Sequence, residues 1–143
     1  MRAEFIAAAR SYLRTPYGHQ GRMPGVLLDC VGVPICAARQ VGLKPAGFDI
    51  TGYGREPDGR LLPLCREHMD EISQAAMQPG DVIVVHQGEN PRHMGVLWDY
   101  GGRLGIVHAI ADGGRRVGAV REHRLVFGPL CRFVAAFRIP GID

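Results

Sequence analysis

The chain has 143 residues, nearly half of them apolar, with 20 glycines and a formal net charge of +3. That length suits one domain spanning residues 1–143 around one core, and the composition excludes a disordered chain. The charge is too small, and the arginines too scattered, for a nucleic-acid binder, and no apolar run approaches the length of a membrane span.

Residues 2–14 read as a helix, with Phe5, Ile6, Ala9, Tyr12 and Leu13 on one face and Thr15-Pro16 as its stop. This N-terminal stretch carries Glu4 and Arg10 and lacks the uninterrupted apolar run of a signal peptide, so export by the usual route is not expected. Residues 16–28, with Gly18, Gly21, Pro24 and Gly25, read as a shaped loop. Asp29 reads as the N-cap of a second helix running to about Gln40 and closed by Gly42, with Val31, Ile35, Ala38 and Val41 in helical spacing. Pro34 predicts a distorted start to that helix, because it removes a backbone donor and crowds the preceding turn.

Residues 43–60 are rich in Gly and Pro, Pro57 among them, and read as loop. A third helix is expected over about Leu61 to Ser73, with Leu61, Cys65, His68, Met69 and Ile72 on one face and Pro63 tolerated in its first turn. The remainder reads as strands: Asp81–His86, His93–Asp99, Leu104–Ile110, Arg116–Arg121 and Arg132–Ile139. The second and third of these flank Gly101-Gly102 and form a hairpin that pairs Tyr100 with Arg103 and His108 with Gly95. Helices first and strands afterwards give an α+β fold with an antiparallel sheet.

Four cysteines are present, at 30, 36, 65 and 131. None forms a C-x-x-C pair, which argues against structural zinc, and the absence of an export signal argues against a disulfide framework. The ordinary expectation for each is a small buried apolar side chain.

Cys30 has a reason to differ. It follows the capping Asp29 at a helix start, where the helix dipole is expected to lower a thiol pKa, with the Asp29 carboxylate turned onto the helix backbone. His93 opens a strand and shares a face with Gly95 and Leu97, and a neutral imidazole there can take a thiol proton and return it to a leaving amine. His108, on the partner strand, is the diagonal neighbour of His93 in the simplest hairpin register. A nucleophile, a base and an orienting group are what a catalytic triad requires. A zinc site built from Cys30, His93 and His108 is the alternative, but no short-spaced ligand pair anchors it, and no metal or cofactor is expected. His68 is expected at the core edge, His86 half exposed and His123 solvated; His19 precedes Cys30 in a loop and could line a cleft. Cys36, six residues after Cys30, lies off its face, and Cys65 and Cys131 read as core.

These residues match a pattern. The chain resembles the NlpC/p60 superfamily of papain-like cysteine peptidases, in particular single-domain versions encoded among phage tail genes. The resemblance runs through Thr15-Pro16-Tyr17-Gly18-His19-Gln20-Gly21, Leu28-Asp29-Cys30-Val31-Gly32, Gln78-Pro79-Gly80-Asp81, Arg92-His93-Met94-Gly95-Val96 and Ile106-Val107-His108-Ala109. It implies Cys30 as nucleophile, His93 as general base, His108 as the residue that orients it, and Tyr17 beside the nucleophile as an oxyanion donor. The implied fold is a Cys-bearing helix packed on an antiparallel sheet that carries the histidines. The implied activity is cleavage of amide bonds in peptidoglycan stem peptides, and the implied setting is a phage tail tip acting in the periplasm beside other tail-tip proteins. A structural tail-tip part with a vestigial triad and a host cytoplasmic amide hydrolase are the alternatives. Two positions depart from the pattern: Val31 replaces a common Ser, which removes a hydroxyl contact to a substrate amine, and Pro34 interrupts a usually unbroken helix.

Overall fold

The computed structural model describes residues 1–54, 59–88 and 90–143; Pro57 of the predicted loop lies outside them. Helix α1 (Arg2–Ser11) buries Phe5, Ala8 and Ala9 at helical spacing. It stops three residues short of the expected end. Arg14 takes φ +72° there, and its N–H leaves the helix to bond the Val120 carbonyl at 2.9 Å. The stretch expected as loop holds a short antiparallel ribbon, β1 (Arg22–Met23) and β2 (Leu27–Leu28), paired Arg22 to Leu28 and Met23 to Leu27.

Helix α2 (Gly32–Gln40) starts later than expected. Pro34 therefore falls in its first turn, where a backbone N–H has no partner within the helix. Residues Gly32 to Ala38 are all buried, because α2 is covered on several sides. Packing there is tight: a Cβ on Gly32 would clash with the carbonyl oxygen of Gly21, the residue just before β1.

Helix α3 (Leu61–His68) is shorter than the expected 61–73. The Lys44 ammonium donates to the His68 carbonyl at 3.2 Å, and Met69 turns extended. Residues Asp70–Ile72 then form strand β3, paired with the last strand through Asp70–Arg138, Glu71–Phe137 and Ile72–Ala136. Sheet hydrogen bonds won over helical periodicity in that stretch.

Among the described residues the main sheet has six antiparallel strands, adding β4 (Val82–Gln87), β5 (Asn90–Tyr100), β6 (Arg103–Ile110), β7 (Ala119–Arg124) and β8 (Cys131–Arg138), in the order β3-β8-β4-β5-β6-β7. Strand β7 lies three residues later than the expected 116–121; Gly113 and Arg116 exchange backbone hydrogen bonds and form a turn instead. Val82, Val84, Val96, Val107 and Phe137 join the helices in the larger core, while Ile83, Val85, Leu97 and Ile106 form a second cluster with Leu104, Leu125 and Phe133. A central strand buried on both faces accounts for the unbroken Val-Ile-Val-Val run of β4. No helix among the described residues is long and apolar enough to cross a membrane.

Asp81, fully buried, ties the layers together. Its carboxylate accepts from Arg2 Nη1 at 3.0 Å, Arg138 Nε at 2.9 Å and Nη2 at 2.8 Å, and the Gln78 N–H at 2.9 Å. Helix α1, the Gln78–Gly80 turn and β8 meet at this one side chain.

The Gly32 contact is directly testable. Gly32→Ala is expected to destabilise the fold by about 1–3 kcal/mol in urea unfolding, because backbone rather than a pliable side chain must move; an unchanged midpoint would contradict the packing.

Candidate active site

Cys30 sits in the turn before α2, two residues ahead of its first residue, and is partly exposed. The turn is held by Asp29, 2% exposed, whose Oδ1 accepts the Gly32 N–H at 2.7 Å and Arg22 Nη1 at 2.9 Å. Its Oδ2 accepts the Gln20 N–H at 2.8 Å and the Tyr53 hydroxyl at 2.7 Å. The expected N-cap is thereby corrected: α2 is preceded by Val31, and Asp29 instead holds the turn that leads into the helix, with the loop on one side and residue 53 on the other. Gln20 takes φ +57°, a conformation that costs a non-glycine residue and that aims its N–H at the carboxylate.

The other half of the site comes from the sheet. The hairpin has the predicted Tyr100–Arg103 pairing, but its ladder ends at Val96–Val107, one pair short of the expected Gly95–His108. No β5–β6 pair is formed beyond that point among the described residues, and the Met94 backbone is one of the groups that bear on the Cys30 thiol. His93, the neighbour of Met94, is paired with Val85 of β4 and is 5% exposed. Its Nε2 lies 2.6 Å from Nδ1 of His108, which is 1% exposed. The two rings meet nearly edge to face, with centroids 4.9 Å apart. Gly95 keeps this region compact, because a Cβ there would lie 2.5 Å from the Ile106 side chain.

Burial governs the charge states. It lowers the His93 pKa to about 4, with a contribution from His123, and lowers that of His108 to about 2, with further contributions from His93, His123 and Arg116. The expected lowering of the Cys30 pKa is corrected: burial, with the Asp29 charge second, pushes this thiol up to about 12 against the smaller opposing effects of the Met94 N–H and Arg22. Burial thus favours the neutral thiol and the neutral imidazoles, so any attack by this sulfur needs a base to remove the proton as it proceeds.

Tyr17 is half buried, its backbone bridged to Leu28 and its N–H bonded to the Gly118 carbonyl at 3.0 Å. With Gly18, His19, Ala111 and Asp112 it lines an open cleft of about 750 Å³. His19 lines this cleft as expected and meets the Tyr53 ring edge to face, with centroids 5.9 Å apart. His68 is half buried against Phe48, and His86 is partly exposed beside Arg132. Cys36 and Cys65 are buried, whereas Cys131 is partly exposed and so differs from the core placement expected.

One residue escaped the sequence reading. His123 is exposed, as expected, but it is not simply solvated: its Nε2 lies 2.8 Å from His108 Nε2, and its Nδ1 lies 2.8 Å from the Arg124 carbonyl oxygen. Placing the strand at 116–121 hid it. With β7 at 119–124, the Ile106–His123 and His108–Arg121 pairs set His123 diagonal to His108 on one face. The three rings stand in file, and among the described residues no group of three His, Cys, Asp or Glu side chains converges to hold a metal ion.

A Cys presented before a helix and histidines presented by an antiparallel sheet define a papain-like α+β arrangement, and solved structures give it a name: the chain has the NlpC/p60 fold. The NlpC/p60 domain of the peptidoglycan hydrolase SagA superposes with a TM-score of 0.57 at 23% identity, covering 87% of this chain and 89% of that one. NlpC2 from Trichomonas vaginalis gives 0.64 at 19% identity over 94% of this chain and 45% of that one. A lipoprotein-like protein of the NLP/P60 family from Staphylococcus aureus gives 0.60 at 19% identity over 96% of this chain and 41% of that one. The chain thus spans less than half the length of the last two. No protein-family model matches the sequence, and no curated protein matches it.

Two measurements follow from the charge states. Between the ordinary imidazole pKa of 6.5 and about 4, the unfolded chain binds a proton at His93 that the folded chain refuses, and His108 behaves alike. Stability is then full above 6.5 and lost as the pH falls, so Tm should drop steadily from about pH 7 to about pH 4.5, and drop less in a His93→Gln/His108→Gln variant. Iodoacetamide labelling of Cys30 should climb into the alkaline range; a plateau below about pH 8 would reveal a thiolate at odds with the burial of this sulfur.

Proposed function

We propose that the protein is a thiol-dependent amide hydrolase that cleaves peptidoglycan stem peptides, with Cys30 as nucleophile and His93 as general base. The observation that carries this reading is the 2.6 Å contact between His93 Nε2 and His108 Nδ1, made by two buried rings on adjacent strands, with the backbone of Met94, the residue after His93, bearing on the Cys30 thiol. A buried imidazole oriented by a second one suits proton transfer better than a purely structural role.

With Nε2 engaged by His108, His93 keeps Nδ1 for the thiol. As sulfur attacks the amide carbonyl, Nδ1 takes the thiol proton, and the C–N bond then breaks as that proton passes to the leaving amine. Water adds to the thioester, giving its proton to His93; the C–S bond breaks, the acid leaves and the thiol is restored. Tyr17 and the Cys30 N–H are the proposed donors to the oxyanion. The cleft of Tyr17, His19 and Asp112 supplies polar groups for one arm of a peptide. The likeness to the NlpC/p60 domain of a peptidoglycan hydrolase supports the substrate class, at the level of fold.

The setting proposed is a phage tail tip, where local digestion in the periplasm would open a path for DNA; it is supported by the sequence resemblance to tail-encoded domains. Incubation with purified stem peptides should release fragments with new amino and carboxyl ends by mass spectrometry. Cys30→Ala should reduce that release by about a thousandfold or more. Intact substrate with the wild-type chain, together with normal infection by Cys30→Ala virions, would favour a structural tail part with a vestigial triad.

A further inference from the structure

The His93–His108 contact has a direction, and a single backbone oxygen sets it. A carbonyl oxygen can only accept, so His123 Nδ1, 2.8 Å from the Arg124 carbonyl, carries its hydrogen. In a neutral His123 the other nitrogen, Nε2, is then bare and must accept. Its neighbour at 2.8 Å, His108 Nε2, therefore donates. A neutral His108 that donates through Nε2 has a bare Nδ1, which accepts from His93 Nε2 at 2.6 Å. The hydrogen of His93 is thus on Nε2, and its lone pair is on Nδ1.

We propose that His123 is a positioning residue for the base: anchored on the Arg124 carbonyl, it fixes the tautomer of His108 and through it leaves His93 Nδ1 bare to receive the thiol proton. The proposal rests on the reading of Cys30 and His93 as nucleophile and base. The opposite order of hydrogens would set a bare His123 Nδ1 against the carbonyl oxygen, lone pair to lone pair, and would put a hydrogen on the nitrogen of His93 that must accept. Two further features fit. The Ile106–His123 register carries the ring onto the face of His108, while Arg121, directly across from His108, sends its guanidinium away to the Val117 carbonyl at 3.0 Å. His108 and His123 also share an open cleft of about 600 Å³ with Ile106 and Cys131, so the outer ring can be anchored without being buried. Without His123, His108 keeps both ring orders at similar cost, and His93 divides between a form that can accept the proton and one that cannot.

The test is the ring-nitrogen tautomer, read by two-bond 15N–1H correlation at about pH 8, above the ordinary imidazole pKa. The wild-type chain should show hydrogen on Nε2 of His93 and His108 and on Nδ1 of His123. Hydrogen on His93 Nδ1 or on His123 Nε2 would overturn the proposal, with no substrate involved. His123→Phe should mix the His93 tautomers and lower kcat for stem-peptide cleavage about tenfold with KM little changed, a fraction of what a general base supplies. His123→Gln, whose amide oxygen accepts from His108, should restore both. An unmixed His93 and an unchanged rate in His123→Phe would also overturn it. Should that variant fail to fold, the wild-type spectrum and the glutamine variant decide. The expected wild-type tautomers without any cleavage would refute the hydrolase reading instead, which keeps the two failures apart.

Discussion

The carboxylate of Asp29 is the joint on which the site is built. A buried negative charge is tolerable only when donors replace its water, and here four groups do so: two backbone N–H groups, a guanidinium and a phenol. Each donor belongs to a different piece of chain. The Gln20 N–H fixes the loop that leads from Tyr17, Arg22 fixes the ribbon, Gly32 fixes the start of α2, and Tyr53 closes the segment that follows the helix. Arg22 carries the connection outward to Asp49 at 2.8 Å and the Ile50 carbonyl at 3.2 Å. Cys30 is held between these anchors without contributing to them, and its side chain packs against the larger core.

The same carboxylate sets the chemistry at rest. It adds to burial in keeping the neighbouring thiol protonated, while burial keeps His93 and His108 neutral. A preformed thiolate–imidazolium pair would have to be solvated in a place with little water, and the fold does not supply that solvation. It supplies a bare nitrogen and a file of rings behind it. In the proposed reaction, activation belongs to the moment of attack, when the developing negative charge moves from sulfur to the carbonyl oxygen.

Asp81 plays a comparable part where α1 meets the sheet. Held by Arg2 and Arg138, it clamps helix α1 to the strand that leads to β5, and Arg2 also reaches Asp143 at 2.6 Å. The Cys30 turn rides on the helical layer and the histidines ride on the sheet. Their separation therefore depends on how these two layers are clamped: Asp81 joins α1 to the sheet, while Asp29 fixes the Cys30 turn within its own layer.

The sequence by itself determined the local matters. Helical spacing found the buried face of α1, the glycine pair at 101–102 found the hairpin and its Tyr100–Arg103 register, and alternation on that hairpin set His93 and His108 side by side. Those features depend on neighbours a few residues apart, which a chain carries in its own order. Where α3 ends, where β7 begins and what the Cys30 thiol experiences were decided by tertiary structure. Residues 70–72 had a helical pattern but found an open edge of β8, and residues 122–124 became strand because β6 offered them partners. Dipole reasoning along α2 pointed to an acidic thiol, but burial beneath distant segments reversed it, since the cost of removing water depends on everything that packs around an atom. His123 belongs to the same category: its register, and hence its place behind His108, exists only once the sheet has formed.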